Sequence, residues 1–142
     1  MTSNRAWVVW ALGLAAAAGA FLSSHSIWPP HPTVPQPTEA QLPFLIGIAV
    51  AEALALGAGV VFLLSGWRHV ERLTALAPWV RWASFLSVGW LLVSWWPHDN
   101  LHIHHALNLW PLIAIEYGFH ISLMACGAIL AYAFFRLSTA RV

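Results

Sequence analysis

Between Pro97 and His120 the chain reads PHDNLHIHHALNLWPLIAIEYGFH, a stretch that holds five of its eight histidines and two of its five acids. Imidazole and carboxylate groups are ligands of zinc, iron and copper, so this grouping points first to transition-metal binding. In helical geometry His98, His102 and His105 fall at i, i+4 and i+7 and share one face, while His104 points away. Asp99 or Asn100 suits the N-cap of a short helix beginning near Leu101. Further along, Glu116, His120 and Met124 lie at i, i+4 and i+8 and share a second face.

The ligand set read from these spacings is His98, His102, His105 and His120, with Asp99 and Glu116 as further ligands or as groups that orient the histidines. The ion is copper, zinc or iron, and Met124 would favour copper if it took part. Each histidine taken alone reads more plainly as a solvated or pH-responsive interfacial residue. Taken as a group they favour a metal site.

The elements that must position these residues are hydrophobic. Of 142 residues, 60% are hydrophobic and 8% charged, with a mean hydropathy of +0.71. Soluble domains run at about half apolar and a quarter charged, so the chain is an all-α integral membrane protein forming one domain. Polar side chains set among such segments are costly unless they serve a purpose.

Four spans are expected, over residues 6–22, 44–64, 82–96 and 110–135. The first run follows Arg5 and contains Ala18-Gly19-Ala20, the small residues of a cleavage site. It is read here as a retained first transmembrane helix, with Ala11, Ala15 and Gly19 as a close-packing stripe. Ala49, Ala53 and Gly57 supply a similar stripe in the second. Residues 23–43 carry six prolines and form a stiff extended loop bearing His25 and His31.

There is no lysine, and the six arginines are Arg5, Arg68, Arg72, Arg81, Arg136 and Arg141. By the positive-inside rule both termini and the connection between the second and third spans face the cytoplasm. The expected architecture is therefore a four-transmembrane-helix bundle, N-in and C-in, in the cell (inner) membrane. Its proline-rich loop and histidine-rich turn are then both extracytoplasmic, with the loop folding near the turn.

Counted from Trp110, Glu116 would lie about 9 Å deep and His120 about 15 Å. Glu52, counted from Pro43, would lie at about 13 Å. Their matching depths make Glu52 and His120 either a buried hydrogen-bonded pair that fixes helix register or a ligand or proton-relay site, and Glu116 is placed to reach toward the histidine turn.

Scattered arginines leave nucleic acid without a basic surface to bind. No thiolate set, H-E-x-x-H, phosphate loop or nucleophile elbow occurs, so hydrolase and nucleotide chemistry lack support. The segment HDNLH imitates one histidine box of the membrane hydroxylases and desaturases, but their repeated x-x-His-His box is missing.

The function expected is that of a small membrane protein holding copper, zinc or iron at its extracytoplasmic end. Its partners would be the lipid bilayer and other membrane subunits, the chain acting as an accessory or assembly subunit of a larger metalloenzyme rather than a stand-alone enzyme. One alternative is a haem-binding electron-transfer subunit with His120 and an outer-loop histidine as axial ligands. Another is a structural subunit whose polar residues only fix helix packing.

Overall fold

The computed structural model describes residues 3–140. Its elements are the helices α1 (Ser3–Ile27), α2 (Leu42–Ser65), the single turn α3 (Trp67–Val70), α4 (Pro78–Val93), α5 (Trp95–His105) and α6 (Leu109–Thr139). Helices α1, α2 and α6 are each long and apolar enough to cross a bilayer.

Packing follows the logic of a lipid solvent. The residues buried between helices are small, among them Ala17, Ala20, Ala53, Ser84 and Ser87, while Leu14, Phe44, Leu86, Met124 and Phe134 face outward. Hydrocarbon solvates large apolar side chains as well as a protein core does, so close approach of small residues holds the helices together. Gly13 and Gly57 form a close crossing. A Cβ added at Gly57 would stand 2.6 Å from the Gly13 carbonyl oxygen and 2.9 Å from Ala17 Cβ.

The stripe on α1 thus runs through Gly13, Ala17 and Ala20, not through Ala11, Ala15 and Gly19, which are exposed. Both sets have helical spacing, and only the position of α2 separates them. On α2 the expected Ala53 and Gly57 are buried.

The long helices alternate in direction. Gly13 and Ala17 oppose Gly57, Gly59 opposes Val93 while Leu63 opposes Gly89, and Trp79 stacks on Tyr132 whereas Trp90 donates to Ser122. One end of the molecule therefore gathers Arg5, Arg68, Arg72, Arg81 and Arg136 with His69, and the other gathers the proline-rich segment and the histidines of α5. Arg141 lies outside the described residues. The helices pack in a row, α1 on α2, α2 on α4 and α4 on α6, with α5 against α2, α4 and α6. Among the described residues, α1 and α6 are the two ends of this row rather than neighbours closing a bundle.

The third expected span, residues 82–96, is where the structure departs most from the sequence reading. Helix α4 starts earlier, at Pro78, and stops at Val93 after 16 residues, about 24 Å of rise. After a bend at Ser94 the chain becomes helical again from Trp95 and runs through Pro97 to His105. Pro97 does not end the helix because it occupies the first turn of α5, where backbone N–H groups have no intrahelical partner to lose. Its ring displaces the Val93 carbonyl, which accounts for the bend.

Contacts with α6 advance steadily along this rod, from Trp90 with Ser122 to Trp95 with Phe119 and His102 with Glu116. The expected histidine-rich turn is thus a helix that prolongs α4 and inserts between α2 and α6. Neither Asp99 nor Asn100 caps it: Asn100 is buried and donates from Nδ2 to the Trp96 carbonyl at 2.7 Å.

Candidate metal centre

Helix α5 carries the two histidines at the heart of the site, and α6 supplies the carboxylate facing them. His98 is almost fully buried, its ring stacked on Phe119 of α6 at 3.7 Å between centroids. His102, one turn on, lies edge-on to it at 4.6 Å. Glu116 approaches from α6, its Oε1 standing 2.7 Å from His102 Nε2. One ligand atom each from His98, His102 and Glu116 lies within 4.8 Å of the others. Donors on a common zinc ion, each bonded at about 2.1 Å, stand roughly 3.4 Å apart, so side-chain adjustments of about an ångström bring this set onto one ion.

The hydrogen bonds around the set leave the right atoms free. His98 Nδ1 bonds Asp99 Oδ1 at 3.1 Å, which directs Nε2 toward the cluster. His98 Nε2 and His102 Nε2 are both buried without a hydrogen-bond partner. The short approach of His102 Nε2 to Glu116 is not aligned as a hydrogen bond, so it does not satisfy that nitrogen. Buried polar atoms almost always find partners, and two buried imidazole nitrogens gathered on one carboxylate have the chemistry of a metal-ligand set.

Around this triad sits an outer layer. His120 Nδ1 donates to the Glu116 backbone carbonyl at 2.9 Å and lies 2.7 Å from Glu116 Oε2, beside the carboxylate whose Oε1 turns to His102. On the other flank the Glu52 carboxyl of α2 lies beside that of Asp99. Asp99 thus stands between Glu52 of α2 and His98 of the cluster. Carboxylates that orient ligating imidazoles typically contribute 10- to 100-fold in metal affinity. Asp99→Asn is accordingly expected to weaken zinc binding by about 10- to 100-fold with the helical circular-dichroism spectrum unchanged, as competition with a chelating dye would measure.

Of the residues singled out by spacing, His98, His102 and Glu116 come together, with Asp99 and His120 touching them. His105 shares their helical face but is the last residue of α5 and packs against His104 instead, 5.0 Å between rings. Met124 is exposed and makes no part of the set. Glu52 does not pair with His120, because α5 lies between α2 and α6 and offers Asp99 first.

His104 points away from the site, as its spacing requires, and Nδ1 donates to the Pro29 carbonyl at 2.8 Å. There the proline-rich segment packs on the far side of α5, with His31 N–H donating to the Ile103 carbonyl and Trp28 against Trp96 and His104. Phe119 is the contributor that sequence reasoning missed. Its only signal was its position beside His120.

Comparison with known proteins adds no relative: the chain matches no protein family, no curated protein and no solved structure.

Proposed function

We propose that this membrane protein holds one transition-metal ion between α5 and α6 through His98, His102 and Glu116, with Asp99 and His120 orienting the ligands. The observation that carries this reading is the convergence of one ligand atom each from His98, His102 and Glu116 within 4.8 Å, with the Nε2 atoms of both histidines buried. Two imidazoles and one carboxylate are the donor set of open zinc sites and of non-haem ferrous sites. With Met124 turned outward, nothing soft favours copper, and zinc or ferrous iron is the better fit.

The arginine distribution supports four crossings, with α4 and α5 together making the third, and supports termini in the cytoplasm. That orientation puts the ion toward the extracytoplasmic side of the cell membrane. Nearly all of the described chain is membrane helix and connection, which suits an accessory subunit that presents or stores an ion for a larger membrane metalloenzyme. Haem ligation through His120 gains no support, since its ring is largely exposed.

Elemental analysis of the detergent-purified protein after growth in metal-supplied medium tests the reading. About one ion per chain is expected in the wild type, and none in the His98→Ala/His102→Ala variant. A wild type as metal-free as the variant overturns it and leaves the polar cluster a packing device.

A further inference from the structure

One flank of the metal site is exposed, while the Nε2 atoms of His98 and His102 are themselves covered. Side-chain exposure rises across it from 11% at His98 to 32% at His102, 40% at Glu116 and 57% at His120. The open side is not the one the proline-rich segment covers, because that segment packs against His104 and Trp96 on the far side of α5. It is the shoulder of α6, where Ile113, Tyr117 and Met124 flank Glu116 and His120 at helical spacing and are 45%, 65% and 74% exposed. His120 begins the twelfth position of a 31-residue apolar helix, well inside the span, so this ridge faces hydrocarbon.

Three protein ligands leave a fourth position on the ion. Glu116 and the Asp99 carboxylate already set two negative charges beside a divalent cation, and a further anion would leave net charge in the bilayer, where charge is costly. A neutral oxygen completes the site without it. Resting on the metal reading above, we infer that the open position is filled from the bilayer by an amphiphile with a neutral hydroxyl or carbonyl head, its apolar body lying along the ridge of Ile113, Tyr117 and Met124.

The test uses full-length protein in phosphatidylcholine nanodiscs, loaded with paramagnetic cobalt or with diamagnetic zinc. The probe is dodecanol carrying fluorine beside the hydroxyl, and the readout is its fluorine relaxation rate. A severalfold faster rate with cobalt than with zinc is expected. The corresponding fluorinated dodecane, which lacks the head, and fluorinated ethanol, which stays in water, should show no such difference. Met124→Trp, which crowds the ridge without touching the ligands, should reduce the effect while cobalt content stays the same.

Equal relaxation of the headless alkane would mean contact with apolar surface alone. Relaxation of fluorinated ethanol alone would mean entry from water, and no cobalt effect on any probe would mean a closed position; each of these overturns the inference. Failure to take up cobalt at all would instead overturn the metal reading beneath it.

Discussion

His98→Ala is expected to abolish stoichiometric metal retention, with affinity for zinc falling more than 100-fold, whereas His105→Ala should leave it unchanged. Removal of an orienting partner costs about 10- to 100-fold, and loss of a ligand atom itself must exceed that. The contrast matters because spacing alone treats the two residues alike. His98 brings a buried Nε2 with its Nδ1 already engaged by Asp99. His105 brings a ring at the end of α5 that leans on His104.

His98 also stacks on Phe119, so alanine there removes packing as well as a ligand. Glu116→Gln separates the two effects. It keeps the volume and removes the charged donor, and it should also lower affinity by more than 100-fold, beyond the range of an orienting group, while the thermal transition of the metal-free protein is preserved. Chelator competition and thermal unfolding of the apoproteins measure both quantities. Equal metal loss in His98→Ala and His105→Ala would return the site to the three-histidine face of the sequence reading.

The second large effect concerns the α1–α2 crossing. Gly57→Leu is expected to destabilise the protein by about 3 kcal/mol, at the upper end of ordinary overpacking. The first side-chain atom meets a backbone oxygen of Gly13 rather than a flexible side chain, so relief requires the two helices to part along their length. Since α1 packs substantially on α2 alone among the described helices, parting them leaves α1 held chiefly by the Trp96–Ser24 hydrogen bond. Gly19→Leu is the matched control, because nothing lies within 4 Å of a Cβ added there, and its effect should stay within about 0.5 kcal/mol. Thermal unfolding in detergent compares the two. If Gly19→Leu proved the more damaging, the stripe of Ala11, Ala15 and Gly19 would be the packing face after all.

Much of the fold was legible because the solvent is legible. Long apolar runs with few charges mark α1, α2 and α6 whatever their neighbours, since a lipid environment requires a helix to satisfy its own backbone. The arginines sort to one end and the α5 histidines to the other because short connections make successive helices alternate in direction. At the site, periodicity within one helix placed His98 beside His102 and sent His104 the other way, and the four-residue step joined Glu116 to His120.

What periodicity could not express was the course of the chain between helices. Proline ends a helix when it removes a hydrogen bond and is harmless in a first turn, and the same six letters, SWWPHD, permit either outcome. The structure takes the second, so the histidines ride on a helix wedged between α2 and α6 instead of a turn above them. That one choice brings Glu116 rather than His105 to the cluster, gives Glu52 to Asp99 rather than to His120, and covers His98 with Phe119.

The sequence by itself determined the solvent, the helices and the kinds of ligand at hand. Only the tertiary structure decided which of those ligands meet, because a ligand set is a statement about distances between helices, and those depend on where small residues let two backbones approach.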